Sequence, residues 1–148
     1  MPSILVRTAA EADLEAVLAV LRRTGEPEVR AVDRATWSEM LATPNMSVHL
    51  AELGGRVAGT ATLLVMPNLG YDCHPSAFIE AVVVSEPHRR QGVGAALIEC
   101  VLAEAADRSC RKVQLLSHKR HRDDGAFAFY ESLGFTAEAE GFRRYLSS

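Results

Sequence analysis

Residues Glu86 to Leu97 read EPHRRQGVGAAL, between a β-branched run (AFIEAVVV, Ala77 to Val84) and an alanine-rich apolar stretch. A strand, a polar loop and a helix in that order leave the first N–H groups of the helix without intrahelical partners. The helix dipole makes the same end attractive to anions. Gly92 and Gly94 lack a Cβ, so a bulky group can approach the backbone closely, and Arg89 and Arg90 add positive charge at the rim. This is the chemistry of a phosphate or pyrophosphate site. The same residues also suit a plain glycine turn that packs a helix onto a sheet. Two other phosphate motifs fail: no lysine and hydroxyl follow Gly94 as a P-loop requires, and a dinucleotide fingerprint would need Gly or Ala where Leu97 stands.

Glu80 interrupts the apolar run one step earlier. Strand alternation puts Glu80, Val82 and Val84 on one face and Ile79, Ala81 and Val83 on the other. A carboxylate among such neighbours is costly without a partner or a task. It is paired with an arginine, placed where the sheet is solvated, or given a task. The histidines His49, His74, His88, His118 and His121 show no metal-ligand spacing, so no metal is expected. Cys73, Cys100 and Cys110 are odd in number and form no CxxC pair, which points to reduced thiols rather than a disulfide framework. The net charge of -3 gives no footprint for nucleic acid. The start has no basic region followed by an apolar run, and no stretch reaches membrane-span length. A cytoplasmic protein with neither nucleic acid nor membrane as partner is expected.

The elements that must position these residues follow from periodicity. Ser3–Thr8 reads as a strand, and Thr8 with Glu11 as a capping box opening a helix whose apolar face is Leu14, Val17, Leu18 and Leu21. Gly25 and Pro27 stop it, and a weaker helix runs from about Asp33 to Leu41. MSVHLAEL and RVAGTATLLVM around Gly54-Gly55 read as a β-hairpin. A loop, PNLGYDCHPS, leads to the Ala77–Val84 strand. A helix follows from about Gly92 to Asp107, with Val93, Leu97, Ile98, Val101 and Leu102 inward. KVQLLS is a strand, and DDGAFAFYESLGF a short helix capped by Asp123 or Asp124 and stopped by Gly134. FRRYL is a candidate last strand. The order β-α-α-β-β-β-α-β-α-β, with no repeat or linker, predicts one mixed α/β domain over residues 1–148.

VVVSEPHRRQGVGAALIE resembles motif A of the GNAT acetyltransferase superfamily, in which a strand, Arg or Gln, two residues, Gly, one residue and Gly or Ala open a helix. Arg89, Gly92 and Gly94 fit it. Later, AFAFYESLGF resembles the family's second signature, with Tyr130, Gly134 and Phe135 at the matching places. The resemblance spans nearly the whole chain. It implies the GNAT acyl-CoA N-acyltransferase fold, a mixed and mostly antiparallel sheet flanked by about four helices. It implies an acetyl-CoA-dependent N-acetyltransferase that passes the acetyl group to a primary amine of a small molecule or peptide by direct attack in a ternary complex.

The resemblance also assigns residues. Backbone amides of Arg89, Arg90, Gln91, Gly92, Val93, Gly94 and Ala95 would hold the pyrophosphate of coenzyme A, and Val82 and Val84 would pair with its pantetheine arm. The Val82 amide would stabilise negative charge on the thioester oxygen. Tyr130 stands where relatives place the general acid, although Phe127, Tyr130 and Leu133 are also spaced as a core-facing helix stripe. Glu80 would take the amine's proton. Asp123 replaces an Asn that touches coenzyme A in many relatives, so it serves that contact or only a cap. Lys119, Arg120 and Arg122 face phosphates or solvent. Tyr71, Asp72, Cys73, His74, Trp37 and Met40 are acceptor contacts or ordinary packing and surface residues. The resemblance allows a homodimer, which no residue pattern here indicates. Two rivals stand beside this reading: a catalytically degenerate acyl-CoA-binding sensor, which could do without Tyr130, and a nucleotide-binding module.

Overall fold

In the computed structural model, which describes residues 3–147, a five-stranded sheet runs in the order β1-β2-β3-β4-β5. Its strands are β1 (Ile4–Thr8), β2 (Met46–Leu53), β3 (Arg56–Met66), β4 (Ser76–Val84) and β5 (Lys112–Leu115). The first four are antiparallel to their neighbours, and β5 lies parallel to β4. The helices are α1 (Leu14–Arg22), α2 (Ala31–Ala42), α3 (Val93–Asp107) and α4 (Ala126–Ser132). The chain divides into two compact units, the first ending at Leu115 and the second beginning at Leu116. All five strands and α1 to α3 belong to the first.

The first unit buries both faces of its sheet. On one face Leu14, Val17 and Leu18 of α1 and Trp37 of α2 pack with Val48 and Leu50 of β2. On the other, Val93 and Leu97 of α3 pack with Ala51, Ala58 and Ala61. The two faces follow from the period-2 alternation of β2, whose even positions meet α1 and α2 and whose Ala51 meets α3. Gly54 and Gly55 close the β2–β3 hairpin with φ of 60° and 80°, the left-handed pair of a two-residue turn.

Local chemistry departs from expectation at three points. Thr8 is the last residue of β1 and caps nothing. The Asp13 carboxylate instead accepts the Ala10 N–H at 2.7 Å and a bidentate pair from Arg7 at 2.8 and 2.9 Å. These bonds from Arg7 hold the Asp13 carboxyl below its usual range and tie β1 to the approach to α1. The helix turns Val20 inward and leaves Leu21 44% exposed. It ends on Arg23 in a left-handed conformation, φ 56°, two residues before Gly25. FRRYL forms no strand: Phe142, Tyr145 and Leu146 are exposed, and the backbone from Thr136 to Ser147 is irregular. A strand forms only when a partner strand takes up its N–H and C=O groups, and the propensity of FRRYL supplies none.

Gly59 lies under α3. A Cβ there would stand 3.0 Å from the Val83 carbonyl oxygen and 3.1 Å from Leu97 Cδ1 and Val93 Cγ1. Three surfaces converge on one missing methyl, so β3, β4 and α3 approach closely only because residue 59 has no side chain. Gly59→Ala is expected to destabilise the fold by about 1–3 kcal/mol through overpacking. Urea unfolding would show this as a lower midpoint at unchanged slope.

Candidate active site

Strand β4 organises the candidate residues of the first unit. From Ser76 to Ile79 it pairs with β3 on one side and β5 on the other. The β5 pairing stops at Ile79↔Leu115, so Glu80 to Val84 keep β3 as partner and have an open second edge within the sheet. A bulge falls in this segment. Thr62 pairs with Glu80 and Thr60 with Val83, leaving Ala61 opposite both Ala81 and Val82. Ala81 takes up the extra residue at φ 52°, which a non-glycine residue adopts only with strain.

The bulge corrects the expected alternation. Thr60 and Thr62 share a face of β3, so their partners Glu80 and Val83 share it as well. It is the α1/α2 face, because the same threonines pair with Leu50 and Val48. Val82 and Val84 turn to the opposite face and pack against the Ala61, Val93 and Leu97 cluster. Glu80 is therefore separated from the two valines. It is exposed, and among the described residues no cation stands within salt-bridge distance of it. Its carboxylate needs no buried counter-charge, which removes the expected cost.

The Val82 and Val84 backbone groups face the open edge. The Ser85 N–H donates to the Ala58 carbonyl at 2.8 Å. Alternation along an antiparallel ladder then points the Val83 groups toward β3 and those of Val82 and Val84 away. Two distances agree: the Val83 oxygen lies against Gly59, and the Val84 oxygen accepts Arg89 Nε at 3.2 Å on the other side.

Past β4, Glu86–His88 makes a single 3-10 turn, with Ser85 Oγ and His88 Nδ1 in a 2.6 Å hydrogen bond. Arg90 (φ 62°) and Gly92 (φ 85°) are both left-handed on the way into α3. Such reversals curl successive N–H groups around a concave side and form an anion-binding nest. Gly92 is the N-cap of α3 and has no side-chain cap, so the first-turn amides lack a side-chain acceptor from that position. Arg89, Arg90, Gln91 and Gly92 are exposed, Gly94 and Ala95 half-buried, and Val93 is buried in the core, leaving only its backbone for binding. Gln91 is partly engaged, with Nε2 donating to the Pro87 carbonyl at 3.2 Å. Among the described residues the one atom near a Gly92 Cβ position is Ile4 Cδ1 at 3.6 Å, so φ rather than crowding calls for glycine.

In the second unit, Tyr130 lies in the last turn of α4. The Gly134 N–H donates to the Glu131 carbonyl and the Phe135 N–H to that of Tyr130, at 3.0 and 3.1 Å, with Gly134 at φ 92°. This is a Schellman ending, and it explains the Tyr-x-x-x-Gly-Phe spacing. The left-handed glycine turns the chain so that the Phe135 ring meets Tyr130 edge-on, centroids 5.9 Å apart. Phe129 meets the same ring at 5.0 Å. Tyr130 is half-buried, and burial pushes its phenol pKa up. At neutral pH it is a proton donor. Asp124, rather than Asp123, caps α4 by accepting the Ala126 N–H at 3.1 Å.

These features combine with what the chain is similar to. Residues 14–135 match the model of the acetyltransferase (GNAT) family. A glucosamine 6-phosphate N-acetyltransferase of Trypanosoma brucei brucei is 30% identical over 93% of this chain and 92% of its own length. A solved Agrobacterium tumefaciens structure, provisionally named an acetyltransferase, superposes with a TM-score of 0.87 at 34% identity, covering 96% of this chain and 99% of that one. An aminoglycoside N-acetyltransferase solved in complex with CoA shares the fold at 19% identity, with a TM-score of 0.79 over 99% of this chain and 96% of that one. The chain belongs to the GNAT acetyltransferase family.

This GNAT chain is an acetyl-CoA-dependent N-acetyltransferase, with the expected mixed sheet and four helices. Several residues singled out in its sequence lie elsewhere. Trp37 is 3% exposed, its Nε1 shared between the Ala10 and Glu11 carbonyls, and Met40 packs on the same core, so both serve packing. Tyr71 to His74 precede β4, roughly 20 Å from Val82 at strand rise. They are tied there by Lys112 Nζ donating to the Tyr71 hydroxyl and by His74 Nδ1 bonding to the Ser109 carbonyl. An open groove of about 460 Å³ between Asn45, Pro67, Leu69, Cys73 and Arg108 lies at this distal end. Among the described residues no helix is long and apolar enough to cross a membrane.

The Ala81 bulge escaped the sequence reading. Its one trace is a small residue within a β-branched run, where any branched side chain would clash at positive φ. Ala81→Val is expected to destabilise by about 1–3 kcal/mol and to disturb the open edge; chemical denaturation would measure it. The Tyr130 shift gives an alkaline signature. Its folded pKa is raised, so stability is kept below the unfolded value near 10 and lost as pH rises through the folded one. Tyr130→Phe should remove part of that alkaline loss, measured as the difference in unfolding midpoints between pH 8 and 11.

Proposed function

We propose that this enzyme transfers an acetyl group from acetyl-CoA to a primary amine by direct attack in a ternary complex, with residues 1–148 acting as one functional domain. The observation that carries the reading is β4, whose open edge at Val82 and Val84 runs straight into the left-handed Arg90–Gly92 nest at the head of α3. A line of free backbone donors and acceptors followed by an anion cradle suits a ligand with an amide-containing arm ending in a pyrophosphate.

The donor set fits that molecule. Backbone amides of Arg89, Arg90, Gln91, Gly92, Val93, Gly94 and Ala95 would hold the pyrophosphate, and Val82 and Val84 the pantetheine arm. When bound, acetyl-CoA supplies an acetyl thioester whose carbonyl carbon an amine can attack. The Val82 N–H, preset by the ladder, donates to the oxygen that gains negative charge. Glu80 accepts the proton an alkylammonium must lose, directly or through one water; its exposure suits the second route. Tyr130, kept protonated by burial, gives its hydroxyl proton to the leaving sulfur. Positioning supplies much of the remaining rate. Among acceptors, amino sugars lead, on the strength of the relative named for glucosamine 6-phosphate.

The test is thiol release from acetyl-CoA with the purified chain and a panel of amines: glucosamine 6-phosphate, aminoglycosides, polyamines, amino acids and peptides. Release that depends on one amine class is expected. Tyr130→Phe should lower kcat on the order of 10²-fold with the acetyl-CoA KM little changed. Gly92→Val, which forces a branched side chain to positive φ, should weaken CoA binding in calorimetry tenfold or more. Full turnover in both Tyr130→Phe and Glu80→Gln would sink the assigned roles. Tight ATP or NAD binding without CoA binding would replace the reading with a nucleotide module.

A further inference from the structure

Away from the glycine turn, the β3–β4 pair is sealed on one face and open on the other. On the face that carries Ala61 and meets α3, Leu63, Val65, Ala77 and Ile79 are 0%, 4%, 0% and 3% exposed. On the opposite face Leu64 and Met66 stand 40% and 45% exposed, and Phe78 is half-buried. Pairing puts this second set on the face of Glu80: Thr62 lies opposite Glu80, Leu64 opposite Phe78 and Met66 opposite Ser76, with no bulge between these pairs. Helix packing stops short of them. The residues of α1 and Trp37 of α2 pack on Val48 and Leu50, which lie beside Thr62 and Thr60. Glu80 therefore stands at the margin of the helical cover, and the next two rows of β3 and β4 are open at Leu64 and Met66.

An antiparallel sheet with one wet side ordinarily alternates apolar with polar residues. Here the wet side carries Leu, Met and Phe beside a carboxylate. Such a surface has two parts: an anion for a cationic head, and an apolar run of roughly 13 Å by strand rise for a body attached to it. The flanking β5 residues do not change its character. Gln114, opposite Phe78, is neutral. Lys112, opposite Ser76, is engaged with Tyr71, its Nζ donating to the hydroxyl at 3.1 Å and lying 4.9 Å from the ring centroid. All of these residues belong to the first unit.

We propose that this face receives the acceptor and selects primary amines with an apolar body: the ammonium meets Glu80, and the body lies along Phe78, Leu64 and Met66. These three are specificity-determining residues and take no part in proton transfer. The proposal takes Glu80 as the proton acceptor, and so rests on the acetyl-transfer reading. A plain alkyl chain meets the requirement, and an amino sugar meets it when it carries an apolar substituent.

The test is thiol release from acetyl-CoA with ethyl-, butyl-, hexyl- and octylamine, which share one amino group and differ in apolar length. The ratio kcat/KM is expected to climb about two- to fourfold per methylene, as partial to full burial of each CH₂ gives. The climb should lie mostly in KM, because the body is held alike in ground and transition states. Leu64→Ser with Met66→Ser should flatten it to about 1.5-fold or less per methylene. Both positions are exposed, far-UV dichroism checks the fold, and the series with the unsubstituted enzyme stands without the variant. A flat or falling series in the unsubstituted enzyme overturns the inference and leaves acetyl transfer in place. So does a climb that the double variant leaves intact, or a double variant that alters the sedimentation mass and not the climb, which gives the face to a second copy. Thiol release with no amine of any class overturns the acetyl-transfer reading and this inference with it.

Discussion

A strand open along one edge must be held by the other, and in this enzyme that duty falls on the contact between β3 and the C-terminal half of β4. Beyond Ile79 the sheet no longer supports β4 from the β5 side. What keeps Val82 to Val84 in place is pairing with β3 and the packing of the two valines under α3. Gly59 sets the closeness of that packing, since the Val83 oxygen, Val93 and Leu97 all approach where a side chain would be. The glycine turn then inherits its position from β4 and its direction from α3. The Val82 backbone is as fixed as the sheet that holds it.

The bulge at Ala81 makes two requirements compatible. A regular strand would place Glu80 on the same face as Val82 and Val84, beside the apolar cluster under α3. The extra residue sends Glu80 to the α1/α2 face, where it meets solvent, and lets the valines fill the core. The strain of one left-handed alanine, on the order of 1 kcal/mol, replaces the larger cost of burying a carboxylate without a partner. A similar economy governs α4. Its Schellman ending satisfies the last carbonyls and sets the Phe135 ring edge-on to Tyr130; the phenol is half-buried, and that burial raises its pKa.

Much of this was legible in the residues, and what was not has local physical causes. The β2–β3 hairpin, the β4 strand, α3 and α4 were all readable, because their hydrophobic periods and glycine punctuation act over a few residues. The glycine turn and the Tyr-Gly-Phe ending were readable for the same reason. The α1 cap was misread at Thr8 because Asp13, held by Arg7 on β1, took the Ala10 amide first. Leu21 and Val20 exchanged roles because the helix starts at Leu14 and its phase against the sheet is a tertiary matter. Trp37, read as an acceptor contact or as packing, is packing: its ring nitrogen and its surface are consumed by the core.

By itself, the sequence determined the order of the strands and α-helices through α4, the glycine turn into α3 and the family resemblance, since each depends on residue type at short spacing. The tertiary structure decided which edge of β4 lies open, on which face Glu80 emerges, and that Phe142–Leu146 forms no strand. The division has one physical reason. Hydrogen bonds inside helices and turns connect residues a few positions apart, so composition can specify them. Strand pairing, bulges and open edges are settled between segments distant in the chain, where one inserted residue inverts every side chain that follows.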